Sequence, residues 1–291
     1  MLPNLGDRKL ALVVVGIGIR AVGQMTFDAV AWIKKAEKVL YVVNDAVAEE
    51  IVCQLNPSAE SLAGLYADGK LRTVTYQEMV ERILGCVRSG KVTCVVSYGH
   101  PGVFSYPAHE AMRRARAEGY AAKMLPGISA EDCLFADLGI DPSTSGCQSF
   151  ESTEFLINGH ALDVTSHVIL WQIGVVGDWT FKKKGYDHSA LPMLAERLCQ
   201  FYQPNQVAYL YEAATFLGCE PVIRPITIAS LPPAAPSPLA TLYIPPARPA
   251  MLNQAVYDRL NAPRAVPATE GWFNQGRSHA FGQPANCSGA S

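Results

Sequence analysis

Apolar and polar positions alternate in blocks along the first half of this chain. Residues 10–15 are an unbroken apolar, largely β-branched run, the pattern of a strand buried on both faces of a parallel sheet. Residues 39–43, 92–97 and 121–125 repeat it. Between these runs the apolar spacing turns helical. Helices are expected from about Thr26, with Phe27, Val30, Ile33 and Ala36 on one face, over Ala46–Leu55, from Tyr76 through Val87, and over 107–118. Two helix starts carry cap signals: Thr75 with Glu78, which puts Tyr76 in the first helical position and Arg72 upstream of it, and Ser129 with Asp132. Strand and helix in alternation predict an α/β layer. Turn-forming residues 141–146 then mark a boundary. Beyond it, strands at 165–172, 206–212, 222–225 and 241–244 with one helix at 191–202 predict a mixed sheet. A last helix is expected at 251–260, followed by a tail rich in Ala, Pro, Gly, Ser and Asn. The expected division is 1–143, 147–248 and 249–291.

Composition narrows the class. Of 291 residues, 49% are hydrophobic and 17% charged, which is a globular balance. A formal net charge of -2 argues against nucleic acid as a partner, because phosphate binding needs a basic surface. Arg8 and Lys9 before the apolar run imitate a signal peptide, but Gly16, Gly18 and Arg20 interrupt and end it, so a first strand explains it better. No later stretch is long enough to span a membrane. The eight cysteines show no Cys-x-x-Cys pair, and neither they nor the six histidines have zinc-ligand spacing. A reduced, cytoplasmic protein without a metal is expected.

Three loops carry candidate chemistry. Gly16-Ile17-Gly18-Ile19-Arg20-Ala21 matches the G-x-G-x-x-A pattern of dinucleotide sites, which makes an NAD-dependent oxidoreductase one reading. The helix, however, begins near Thr26, too late for its N-terminus to face a pyrophosphate. Residues 98–104, Tyr-Gly-His-Pro-Gly-Val-Phe, leave the central strand at its carboxyl end, the edge at which open α/β sheets bind ligands. Pro126-Gly127-Ile128-Ser129-Ala130 repeats the strand-turn-helix step. Upstream, Tyr66, Arg72 and Tyr76 lie close in sequence, and a guanidinium beside a phenol favours its phenolate. On spacing alone, half-buried packing tyrosines and a surface arginine are the simpler account.

Taken together, these loops resemble the tetrapyrrole methylase superfamily, two-domain α/β enzymes that bind S-adenosylmethionine in the cleft between their halves. Trp171-Gln172 and Tyr211-Glu212-Ala213-Ala214 continue the likeness. Within that superfamily the chain most resembles the borosin peptide backbone α-N-methyltransferases, through Tyr66, Arg72 and Tyr76, the 98–104 loop, and residues 134–142. The likeness spans about residues 10–246. It implies cofactor contacts from Tyr98, His100, Val103, Phe104, Ser129, Ala130, Gln172, Ala213, Ala240 and Thr241, and catalytic roles for Tyr66, Arg72, Tyr76 and Tyr98. Tyr76 would be the base, Arg72 its electrostatic partner, and Tyr66 and Tyr98 would hold the substrate carbonyl and align its nitrogen. S-adenosylhomocysteine would be the product. A homodimer, or a heterotetramer with the peptide, is also implied.

Fungal members of that group carry a clasp and then their own substrate, an apolar run rich in Val, Ile and Gly. Residues 270–291 hold no such run, so the split, bacterial-like arrangement with a separate precursor peptide is expected ahead of methylation of the chain's own tail. Three other readings stay open: a methyltransferase of the same fold acting on a tetrapyrrole or a modified histidine, the NAD-dependent oxidoreductase, and a silent peptide-binding module.

Overall fold

The apolar run at the start of the chain forms β1 (Leu10–Gly16), a central strand with Leu12 and Val14 packed on one face and Val13 and Val15 on the other. An irregular turn, α1 (Ala21–Gln24), precedes α2 (Phe27–Lys35), whose N-cap is Thr26, its side chain accepting from the Ala29 amide. Then come β2 (Lys38–Val42), α3 (Ala46–Leu55), the two-residue β3 (Glu60–Ser61), α4 (Arg72–Arg88), β4 (Thr93–Ser97), α5 (Tyr106–Ala117) and β5 (Ala121–Met124). The five strands pair in the order β3-β2-β4-β1-β5, all parallel. Helices α4 and α5 cover one face, and α2 and α3 the other. The computed structural model describes residues 10–260.

The chain crosses to a second sheet through α6 (Ala130–Leu138) and the turn α7 (Pro142–Ser145). There follow β6 (Cys147–Glu151), α8 (Ser152–Ile157), β7 (His167–Trp171), α9 (Leu191–Leu198), β8 (Val207–Glu212), β9 (Val222–Thr227), β10 (Thr241–Ile244) and α10 (Gln254–Arg259). The order is β6-β7-β10-β8-β9, with β6 parallel to β7 and the other pairs antiparallel. Its two faces have different cores. Val168, Leu170, Leu210, Leu242 and Ile244 meet α8 and α9, whereas Ile169, Trp171, Tyr211 and Tyr243 meet Leu134 and Leu138 of α6. Helix α6, sequence-adjacent to the first sheet, is therefore packed into the core of the second.

Three elements, β6, α8 and α4, differ from the sequence reading. Strand β6 and helix α8 were not expected: Cys-Gln-Ser-Phe-Glu is an edge strand with no fully buried position, so it lacks the apolar alternation that reveals a strand. Helix α4 begins at Arg72, four residues before the expected start at Tyr76. Thr75 is thus a fully buried helical residue whose hydroxyl has no partner, and Glu78 pairs with Lys70. A cap signal inside a helix looks the same in sequence as one at its start. The tail beyond residue 260 lies outside the described residues.

Candidate functional site

The site grows from a place where three loops touch backbone to backbone. The loop after β1 and the loop after β4 pair through a Gly18–Gly99 bridge, with the Gly99 amide donating to the Gly18 carbonyl at 2.9 Å. A Cβ on Gly16 would stand 2.1 Å from the Gly99 carbonyl oxygen, and one on Gly127 would stand 2.9 Å from the same atom. The glycine-rich loop therefore serves loop packing, which explains its resemblance to a dinucleotide motif without a helix behind it. His100 tightens the turn, its Nδ1 accepting from the Gly102 amide at 2.9 Å. Ser129 caps α6 in a complete capping box with Asp132.

Above these loops lies a cavity of about 280 Å³ between the carboxyl edge of the first sheet and the ends of β7, β8 and β10. Its wall includes Tyr66, Tyr76, Tyr98, His100, Val103, Phe104, Ser129, Ala130, Gln172, Ala213 and Thr241. Eleven of the residues expected at a site are thus brought together. Two are not in the wall. Ala240 is buried, its carbonyl taking the Ile173 amide and its own amide bonded to Ser237. Arg72 stands behind the wall on the first turn of α4. Phe104 and Gln172 line the cavity with left-handed backbones, φ 49 and 60, which cost a non-glycine residue roughly 1 kcal/mol or more each and are retained where a site demands the shape.

The phenol cluster is held by a segment from the second half of the chain. The Gly69 amide donates to the Phe181 carbonyl at 2.8 Å, the Phe181 amide to Lys70 at 2.9 Å and the Arg72 amide to Trp179 at 2.9 Å. The Lys183 amide reaches the Asp68 carboxylate at 2.8 Å, and the Tyr66 and Phe181 rings lie 4.9 Å apart. The Arg72 guanidinium donates to the Asp178 carbonyl oxygen, a neutral acceptor, so its charge still acts on the phenols. Tyr66 and Tyr76 are hydrogen-bonded to each other in the sense that raises Tyr66 and lowers Tyr76, that is with Tyr66 as donor.

Electrostatics correct one expectation. Arg72 does pull Tyr76 down, but burial outweighs it and Tyr76 stands above the usual tyrosine value. Tyr66 is raised further, chiefly by burial, and burial pushes Tyr98 up to about 12. All three phenols are neutral at pH 7 in the protein by itself. Sequence reasoning also left out Glu131 and Glu212, which line the cavity and, among the described residues, are its only Asp, Glu, Lys or Arg residues. No sequence signal marks them, since an acidic residue in a first helical turn or at a strand end is ordinary.

The model of the tetrapyrrole (corrin/porphyrin) methylases matches residues 11–225. The chain belongs to this family. It is 45% identical over 240 residues to the methyltransferase/ribosomally synthesized cyclic peptide dendrothelin A precursor of Dendrothele bispora, covering 81% of this chain and 58% of that protein. It is 42% identical over 240 residues to the corresponding omphalotin A precursor of Omphalotus olearius, again covering 81% and 58%. With a type I borosin cyclic peptide precursor of Mycena rosella, also named a methyltransferase, identity is 37% over 290 residues, covering 94% and 70%. The chain thus spans about three fifths of the length of the first two, whose names join enzyme and precursor. Solved structures share the fold. Uroporphyrin-III-C-methyltransferase from Thermus thermophilus superposes with a TM-score of 0.58 at 18% identity, covering 88% of this chain and 97% of that one. Cobalt precorrin-4 methyltransferase gives 0.58 at 15% identity, covering 81% and 95%.

Proposed function

We propose that this chain is an S-adenosylmethionine-dependent methyltransferase whose acceptor is the backbone amide nitrogen of a peptide. The charge of the cavity wall carries the reading: among the described residues it has two carboxylates, no lysine and no arginine. A nicotinamide dinucleotide brings a pyrophosphate, and a uroporphyrin-type tetrapyrrole brings carboxylates around its ring; both call for lysine or arginine partners, which the described wall lacks, and the α6 N-terminus in the wall already carries the Glu131 and Asp132 carboxylates. A sulfonium nucleoside is cationic, and the aromatic faces of Tyr98, Phe104 and Trp171 with the polar ends of Gln172 and Thr241 suit it. Likeness to proteins named as methyltransferases joined to cyclic peptide precursors, one of them a type I borosin, supports the peptide acceptor.

The chemistry follows from the amide. Its nitrogen lone pair is delocalised into the carbonyl, so the nitrogen must lose its proton, or begin to, before it can attack. When bound, the cofactor supplies an electrophilic methyl group on a positively charged sulfur. Tyr76 is the base: Tyr66 donates to its oxygen and Arg72 stands behind both, so the pair stabilises a phenolate once one forms. A cation in the cleft acts in the same direction as Arg72, against the burial that otherwise keeps the phenol neutral. Tyr98, at the floor, is placed to donate to the carbonyl oxygen as negative charge gathers there. Ala240, buried beside Thr241 with both backbone groups already bonded, would act on the cofactor only by holding Thr241 in the wall.

The acceptor is proposed to be a precursor peptide, because the names of the relatives join a methyltransferase to one. The proposed assembly is a homodimer. Titration calorimetry of the full chain tests the cofactor: S-adenosylmethionine should bind, and NAD and uroporphyrin should not. Tight NAD or uroporphyrin binding would overturn the reading. Intact masses after incubation with cofactor and a precursor peptide should show added methyls on the peptide, and light scattering should give twice the chain mass.

A further inference from the structure

We infer that Glu131, seconded by Glu212, is a charge sensor that holds the cationic cofactor in preference to its neutral thioether product; this rests on the cofactor reading above. Glu131 occupies the first turn of α6, two residues after the Ser129 cap, and lines the cavity half-buried. Its surroundings are built to keep it there. The Ser149 hydroxyl is hydrogen-bonded to its carboxylate. Ser149 Oγ in turn accepts from the Trp171 indole Nε1–H at 2.7 Å, and the Trp171 ring lies 5.9 Å from Phe104 across the wall. The carboxylate is thus fixed by a relay anchored in β6 and β7.

What it lacks is a cation. Burial and the neighbouring Asp132 both push its carboxyl above the usual range, only the Ser149 bond opposes them, and no lysine or arginine side chain contributes. Glu212, also in the cavity wall at the end of β8, is similarly held by a neutral partner, the Ser237 hydroxyl at 2.6 Å. Among the described residues, these two oriented carboxylates face one cavity with no lysine or arginine in its wall. Desolvated charge of this kind is retained where a ligand of opposite sign completes it.

The cofactor and its product differ by one methyl group and one positive charge. Transfer of that methyl leaves a thioether with no charge at sulfur, so the attraction to Glu131 and Glu212 is lost at the moment of reaction. A wall that weakens its hold on the spent molecule favours exchange for a fresh one, which suits an enzyme that methylates one peptide repeatedly.

The test is titration calorimetry of the full chain with S-adenosylmethionine, with S-adenosylhomocysteine, and with the analogue in which a protonated nitrogen replaces the sulfonium. One partly screened charge pair at the cavity edge predicts that the wild type holds the two cationic forms about tenfold more tightly than the thioether. Glu131→Gln should erase most of that ratio by weakening only the cationic ligands, with thioether binding moved by less than about twofold. Glu212→Gln should shift the ratio in the same direction. A ratio unmoved in both variants, or equal loss for all three ligands, overturns the inference while leaving the cofactor reading intact. A wild type that binds none of the three sinks the cofactor reading, and this inference with it.

Discussion

Replacing Tyr66 by Phe removes the hydroxyl that donates to Tyr76 while leaving the ring against Phe181. A hydrogen bond to a charged group contributes about 1.5–3 kcal/mol, and each 1.36 kcal/mol is roughly one pKa unit, so Tyr76 should rise by about one to two units. Tyr76 already lies above the usual tyrosine value, because burial outweighs Arg72. Its basic form therefore grows as pH rises towards its pKa, and methyl transfer should increase with pH across the neutral range. At every pH below that pKa the variant should be slower by about ten- to a hundredfold, by the same factor throughout, because the phenolate fraction of both proteins rises in parallel with pH. Single-turnover transfer with labelled cofactor, from about pH 6 to about pH 10, measures this without interference from product release. A variant as fast as the wild type throughout that range would refute the donor role.

Other outcomes are as specific. Thr75→Val should raise stability by about 1 kcal/mol in urea unfolding, because it replaces a buried hydroxyl without a partner by a methyl of similar size. Gly127→Ala should cost about 1–3 kcal/mol and weaken cofactor binding, since its Cβ would meet the Gly99 carbonyl oxygen at 2.9 Å and the Gly16 Cα at 3.1 Å. Asp178 is raised by burial but carried down to about 2 by Lys182 and Thr180. A depressed carboxyl contributes stability above its unfolded value, near pH ~4, and loses it as pH falls through about 2. The group is partly exposed, so the gain over Asp178→Asn should be under about 1 kcal/mol at neutral pH and vanish in acid unfolding curves.

Much of the first sheet was legible because its strands are buried on both faces and its helices are amphipathic: β1, β4 and the Ser129 cap can be read from residue type and period alone. The second sheet was legible only where strands are apolar, as in β7 and β10, and not at β6, whose polar edge sequence resembles a loop. Tyr66, Tyr76 and Tyr98 could be named from the resemblance, and the structure puts all three on one cavity. What the sequence could not supply was the balance of forces on them. Arg72 next to Tyr76 suggests a lowered pKa, but only the fold shows how much burial opposes it and that Phe181 and Asp178, more than a hundred residues away, hold the group in place. Glu131 was hidden for a similar reason: its meaning lies in the absence of any lysine or arginine across the cavity, which is a property of the assembled wall.

The most direct test of the account is tandem mass spectrometry of the precursor peptide after incubation with the full chain and S-adenosylmethionine. The account predicts successive additions of about 14 Da, each located on a backbone amide nitrogen and absent when Tyr76 is replaced by Phe. Methyl groups found only on side chains, or undiminished backbone methylation by the Tyr76→Phe variant, would contradict it.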